Sequence, residues 1–308
     1  MQTVDVIIPV YKPDEKLEKL LCMLLKQSYP IEQIILIDSD ETSFGKFFAG
    51  KESLLENKCI KVCHIDGKEF DHGRTRDYAI QMTHSEFVVC MTQDAVPKND
   101  LLIENLLIPF ADKKVAVSYA RQLPNAECSY MERYARFFNY PGKSMVKSKE
   151  DLKRLGIKTY FCSNACAMYR RSTYDELGGF IKKTIFNEDM IYAATAVNAG
   201  YKIAYIARAK VIHSHNYTGK QQFHRYFDLA VSQADHPDIF AGIKSESEGV
   251  KLVFGCMSYL IKRKQFLQIF SLIYQNACKY IGYRIGKKYD KLSRKTILKF
   301  TMNEKYWL

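Results

Sequence analysis

The sequence contains no C-x-x-C pair, no G-x-G-x-x-G turn, no internal repeat and no low-complexity segment. It also lacks any apolar run near the ~18 residues that a membrane span needs. Its nine cysteines are odd in number. The two pairs separated by three residues, Cys59/Cys63 and Cys162/Cys166, lack the partner set of a zinc ribbon. They read as reduced thiols of a cytosolic protein. The opening stretch MQTVDVIIPVYKPD has no basic n-region, and Asp5 and Pro9 interrupt its apolar run, so it reads as a strand and not a signal peptide. The first βα turn, PVYKPDEK, has no glycine that would let backbone approach a dinucleotide pyrophosphate, which argues against a nicotinamide-dependent oxidoreductase.

Acidic charge is scarce in one place only. From Lys251 to Leu308 there are 13 Lys and Arg against 2 Asp and Glu, while the rest of the chain carries 33 against 32. The net charge of +12 therefore belongs almost wholly to the tail. With 308 residues, 47% of them hydrophobic, the chain is long enough for one large domain with an appendage.

The first half alternates regularly. VDVIIPV (4–10), QIILIDSD (33–40), IKVCHI (60–65) and FVVC (87–90) read as strands, separated by helical patterns over 13–29, within 43–56 and over 73–85. Such alternation indicates βαβ units and a parallel sheet. Further on, 100–110 reads as a helix, VAVSYA (115–120) as a strand and 127–138 as an aromatic-rich helix. YFCSNACAMYRR (160–171) reads as a strand, NEDMIYAATAVNAG (187–200) as a helix closed by Gly200, and KIAYIARAKVIHSHN as a strand pair. The expected domains are 1–217, an α/β body, and 218–308, a basic helical region.

Polar residues gather where strands stop: Asp38 and Asp40, then Gln93 and Asp94 in MTQDAVP, then His213 and His215. Strand ends of such sheets are where ligands bind. Acids there also cap the next helix, and for Asp38 both readings stay open. Asp, Gln and His along a crevice offer the oxygen and nitrogen ligands that Mn2+ or Mg2+ accepts.

VIIPVY, IDSD, HGRTRDYA, TQDA, SNACAMYRRSTYDELGGF, NED and VIHSHN follow in the order of a family 2 glycosyltransferase, and their wording resembles its rhamnosyltransferase-like branch. The resemblance runs from residue 4 to about 217, and the tail resembles the branch as well. It implies an α/β fold of the GT-A kind, a Rossmann-like, mostly parallel sheet that binds a nucleotide sugar, with a basic helical extension. It implies that Pro9 and Tyr11 line the nucleotide, that Asp38, with Asp40 nearby, reads the pyrimidine, and that Arg76 faces base or diphosphate. Asp94, with Gln93 where the family's signature has a second carboxylate, would bind the metal with His213 or His215. Asp189 of the Glu188-Asp189 pair would be the catalytic base, and Ser163 and Asn164 would line the sugar pocket. QFHRY echoes the Q-x-x-R-W of processive synthases, which would bring Gln222 and Arg225 toward the diphosphate or the acceptor.

The implied reaction is an inverting, metal-assisted transfer of a sugar, rhamnose from dTDP or UDP, to a lipid-linked glycan in bacterial cell-surface polysaccharide synthesis. The tail alternates apolar and aromatic residues with lysines, a pattern of a helix lying in a membrane interface or of a packed helical subdomain with a basic outer face. The former suits a peripheral protein on the cytoplasmic face of the plasma membrane, with no nucleic-acid partner. The rival reading is a catalytically idle partner that keeps the fold for binding only, motivated by Gln93.

Overall fold

VDVIIPV is buried on both faces, as befits a strand with neighbours on either side and helices above and below. A computed structural model describes residues 2–241 and 246–308 of the chain. Among these, nine strands join one sheet: β1 (Val4–Val10), β2 (Gln33–Asp38), β3 (Ile60–His64), β4 (Phe87–Met91), β5 (Val96–Pro97), β6 (Val115–Leu123), β7 (Met145–Lys147), β8 (Cys166–Arg170) and β9 (Lys202–Ile212). The order is β3-β2-β1-β4-β8-β6-β9-β5, with β7 also paired to β9.

The sheet is parallel from β3 to β4, as the alternating pattern predicts. Beyond β4 it is mixed. β8 inserts antiparallel between β4 and β6, β9 runs parallel to β6, and β5 and β7 run antiparallel to β9. Two sequence expectations shift accordingly. Only Cys166–Arg170 of the 160–171 segment is strand, leaving Ser163 and Asn164 in the turn that enters it. The expected strand pair after residue 201 is one long strand, whose pairing with β6 shifts register between Ala120 and Arg121.

The sheet's chemistry-bearing ends share one edge. β1, β2 and β4 finish there, β8 begins there because Met91 pairs with Cys166, and β6 and β9 finish there because both run opposite to β8 or parallel to its partner. Helices supply the rest of the frame. In α1 (Glu15–Leu24) the buried Leu17, Leu20, Leu21 and Leu24 keep helical spacing, and Asp14 caps the first turn. Asp40 caps α2 (Glu41–Phe48), and Asp71 caps α3 (His72–Gln81) by accepting from Gly73 and Arg74 N–H.

The chain divides into two compact units, the first comprising Met1–Leu123, Tyr140–Lys183 and Glu188–His213, the second Pro124–Asn139, Thr184–Asn187 and Ser214–Leu308. The second unit contains α4 (Tyr130–Asn139), α6 (Gly219–Asp235), α7 (Glu246–Lys262), α8 (Leu267–Gly286) and α9 (Arg294–Phe300), while α5 (Glu188–Asn198) belongs to the first. One core of the second unit gathers Ile185, Phe227, Val231 and Ile297, with Trp307 against them. Another joins Cys256, Leu260 and Leu272 to Met131 and Tyr134. α6 and α8 approach closely at Gly282, where a Cβ would lie 2.3 Å from the Phe223 carbonyl oxygen.

Gly73 sits equally tightly in the first unit: a Cβ there would lie 2.0 Å from the Ile181 carbonyl oxygen. Backbone cannot yield as a side chain does, so Gly73→Ala should destabilise the protein by about 2 kcal/mol or more. Thermal melts of the two proteins would read this directly; equal melting temperatures would contradict the packing.

Candidate active site

Two adjacent acids at the start of a helix normally need no explanation beyond the helix dipole. Glu188 and Asp189 open α5, but Glu188 is only 6% exposed. A buried carboxylate needs a partner, and its partner is the equally buried Arg76 of α3, Nη1 to Oε1 3.2 Å. Arg76 Nη1 also donates to the His72 carbonyl at 2.9 Å, one turn back along the helix.

Asn164 links both acids. Its Nδ2 donates to Glu188 Oε1 at 3.1 Å and its backbone N–H to Asp189 Oδ2 at 2.9 Å, while its Oδ1 accepts from the Tyr169 hydroxyl at 2.6 Å. The family resemblance places Asn164 in the sugar pocket; its side chain bonds Glu188 and Tyr169. Arg76, expected toward base or diphosphate, pairs with Glu188.

The two acids titrate apart. Burial pushes Asp189 up to about 7, and the negative charge of Glu188 adds to the rise. Burial acts most strongly on Glu188 in the same sense, but the Arg76 guanidinium, His72 and the Asn164 amide together outweigh it and hold the carboxyl below its ordinary range. The pair therefore consists of one fixed anion and one carboxyl poised near neutrality, the condition that suits a general base.

At the other end of the shared edge, Asp38 is fully buried and faces His64, its register partner on β3, Oδ2 to Nδ1 2.8 Å. Its Oδ1 accepts from the Asp40 N–H at 3.2 Å. Asp40 itself serves as the α2 cap, accepting from Ser43 N–H at 3.1 Å, the ordinary role of an acid after a strand. Pro9 pairs with Ile37 inside β1, and Tyr11 follows, half exposed.

Gln93 makes a reciprocal clamp on Tyr11. Its Oε1 accepts from the Tyr11 N–H and its Nε2 donates to the Tyr11 carbonyl, each at 2.9 Å. An ionised carboxylate can only accept, so an aspartate here could not make this pair. The departure from two carboxylates thus has a structural reason: it ties the end of β4 to the end of β1.

Asp94 and His213 meet, Oδ1 to Nε2 3.4 Å. His213 Nδ1 lies 2.8 Å from the side-chain oxygen of Gln122, whose Nε2 donates to Ser163 Oγ at 2.9 Å. An amide oxygen only accepts, so the imidazole carries a proton on Nδ1 and presents Nε2 to Asp94. A carboxylate oxygen and an imidazole nitrogen facing each other are ligand types that a divalent cation accepts. Their separation approaches the roughly 3 Å between neighbouring ligands of an ion with bonds of about 2.1 Å. The residues fit a divalent ion.

The remaining candidates lie in the second unit. His215 stacks on Tyr217 with ring centres 5.0 Å apart, and its N–H donates to Glu132. Arg225 lies over the rings of Phe186 and Tyr217, at 4.6 and 5.6 Å. Gln222 is 9% exposed and, with His215, Glu132 and Lys279, borders a cavity of about 260 Å³.

Three residues of the first site escaped the sequence reading. His64 could have been found from its register opposite Asp38. Gln122 lies at the end of a strand that looked wholly structural. Lys147, which burial lowers to about 7, donates to the Lys158 and Phe161 carbonyls and so secures the segment leading to Ser163 and Asn164; nothing local in VKSKED announces it.

The sheet and its helices are those of GT-A glycosyltransferases. The mannosyltransferase PcManGT from Pyrobaculum calidifontis, solved with GDP-Man and Mn2+, superposes with a TM-score of 0.61 over 94% of this chain and 88% of that one, at 13% identity, a likeness of fold. Residues 5–178 match the family model for glycosyl transferase family 2, and the chain belongs to that family. It is 39% identical over 311 residues to the O-antigen chain rhamnosyltransferase RfbN of Salmonella typhimurium, covering 99% of this chain and 96% of the relative. It is 42% identical over 286 residues to the O-antigen chain rhamnosyltransferase WbaN of Salmonella anatum, covering 92% and 88%. The protein is a glycosyltransferase.

With Asp189 expected as the base, which must be unprotonated to act, turnover at saturating substrates should fall as pH drops through about 7, the value to which burial and Glu188 raise it. Glu188→Gln removes the neighbouring anion, so the acidic limb of the pH profile should move to lower pH. A limb that stays in place, or moves up, would detach Asp189 from the profile.

Proposed function

We propose that this protein is an inverting transferase that moves rhamnose from a dTDP or UDP carrier to a lipid-linked glycan during O-antigen-type polysaccharide assembly. The names of the two Salmonella relatives support the sugar and the setting. The observation that carries the chemistry is the split carboxylate pair, with Asp189 near neutrality beside the Arg76–Glu188 ion pair.

In this reading Asp189 accepts the proton of the acceptor hydroxyl as that oxygen bonds to the anomeric carbon. The bond from that carbon to the diphosphate oxygen breaks on the opposite face, and the nucleoside diphosphate leaves. Attack opposite the leaving group inverts the anomeric configuration. Asn164 holds Asp189 in place through its backbone N–H, and Arg76 keeps Glu188 charged so that the proton goes to Asp189. Asp38, with Asp40 beside it, accepts from the pyrimidine N3–H, and the Pro9–Tyr11 turn, fixed by Gln93, forms the nucleotide floor.

Asp94 and His213 would hold Mn2+ or Mg2+, and His215 is assigned as a further ligand because it follows two residues along, within about 7 Å of chain. Such an ion supplies Lewis-acid neutralisation of charge on the diphosphate leaving group. Gln222 and Arg225 are assigned to the acceptor side, and Ser163, through its bond to Gln122, to support of the ion site. The rival reading, an idle binding partner, drew its motive from Gln93, and the clamp on Tyr11 gives that residue a purpose compatible with catalysis.

Single-turnover transfer from radiolabelled dTDP-rhamnose and UDP-rhamnose to an acceptor lipid tests the reading. Asp189→Asn should lose at least about 100-fold in rate, the lower range of general-base contributions. A raised carboxyl favours the folded state below its ordinary range, and that contribution is lost as pH rises through about 7. Above pH 7, then, Asp189→Asn should melt no lower than the parent protein. Retained transfer in the variant would remove the base; no transfer by the parent from either donor would remove the donor assignment.

The ion site has a separate readout. His213→Ala should weaken Mn2+ binding, followed by titration calorimetry in the presence of nucleoside diphosphate, by tenfold or more on the order of a lost ligand or its orienting partner. Unchanged affinity would take His213 out of the site.

A further inference from the structure

The residues 249–289 contain no aspartate or glutamate and eight lysines and arginines. The sequence pattern suits an interfacial helix or a packed helical subdomain there. The structure has two helices, α7 and α8, joined by a tight turn in which Lys264 takes a φ of 57° and Gln265 N–H returns to the Leu260 carbonyl.

The hairpin packs inward through Cys256, Leu260 and Leu272. Its tip faces the other way. Leu267 is 82% exposed and Phe270 73%, with Phe266 and Ile261 also exposed around them. Along α8 the exposed apolar residues Leu267, Phe270, Tyr274 and Ile281 repeat at three, four and seven positions, the spacing of one helical face. Lys262, Arg263 and Lys264 stand exposed at the same turn, and Arg263 lies over the Tyr259 ring at 3.9 Å. No helix among the described residues is long and apolar enough to cross a membrane.

Large apolar side chains rarely stand in water as a group. An apolar tip ringed by cations, on a segment without one acid, matches an anionic lipid surface, where acyl chains receive the rings and headgroups receive the charges. A neutral protein partner would explain the apolar residues but not the absence of acids. We propose that the α7–α8 turn is a membrane-docking tip, with Phe266, Leu267 and Phe270 entering the headgroup–acyl boundary of an anionic bilayer and Lys262, Arg263 and Lys264 contacting its phosphates. The proposal rests on the reading above only in that a lipid-linked acceptor resides in such a bilayer; the docking itself needs no donor and no turnover.

The test is cosedimentation of the full chain with vesicles of phosphatidylcholine alone or with phosphatidylglycerol, at low and high salt. The parent protein should pellet with the anionic vesicles and be released by salt. Lys262→Gln/Arg263→Gln/Lys264→Gln should weaken that binding by about tenfold or more, given about one decade for each charge or two. Leu267→Ser/Phe270→Ser should weaken it as well, leaving a remnant that salt abolishes. Both variants replace exposed side chains, so their melting temperatures and their transfer to a detergent-solubilised acceptor should match the parent.

Failure of the parent to bind anionic vesicles, or binding unchanged in both variants, would overturn the proposal. So would a parent dimer in sedimentation equilibrium that Leu267→Ser/Phe270→Ser dissolves, because the face would then belong to a second copy. Vesicle binding without transfer would leave the docking tip standing and overturn the rhamnosyl-transfer reading; transfer without vesicle binding would do the reverse.

Discussion

Two carboxylates side by side in a buried turn cannot both ionise cheaply, and the guanidinium of Arg76 decides which one does. Without that ion pair, the charge on Glu188 would keep only the Asn164 amide and the nearby His72 as compensation, a defect of about 3–5 kcal/mol. With it, Glu188 is a permanent anion and Asp189 carries the titration. The arrangement ties α3, α5 and the turn before β8 to one another through few atoms, because Asn164 bonds both acids and Tyr169 as well. Stability and reactivity here share the same contacts.

Side-chain amides recur in the same function around the first site. Asn164 orders the acids, Gln93 ties Tyr11 to β4, and Gln122 sets the tautomer of His213. Each uses the one property a carboxylate lacks, the ability to donate and accept at once. The site thereby gains connections between strands without gaining negative charge.

The parallel half of the sheet was legible in the sequence because β1, β2 and β3 are each followed by a helix with its own side-chain cap, and β4 is a wholly apolar run. The antiparallel entry of β8 was not, since pairing direction depends on partners far along the chain and leaves no mark on the strand itself. The acids, the histidines and the family motifs were legible as candidates. Their mutual arrangement was less so: Arg76, expected toward base or diphosphate, pairs with Glu188; Asn164, expected at the sugar pocket, bonds both acids; and Gln122 and Lys147 gave no local signal. Motifs name the chemistry-bearing residues, whereas the side chains that orient them are chosen by three-dimensional proximity.

The insertion of β8 also bears on how the polypeptide emerges from the ribosome. β4 is buried along its whole length, yet one of its two neighbours, β8, begins only at Cys166. At about 5–20 residues per second, translation leaves the FVVCM edge open on the order of several seconds. Through that interval the nascent chain presents a hydrophobic strand with unsatisfied backbone, the kind of template that invites misassociation. Biogenesis of this enzyme is therefore most vulnerable midway through synthesis, when chaperone cover matters more than it does for the finished molecule.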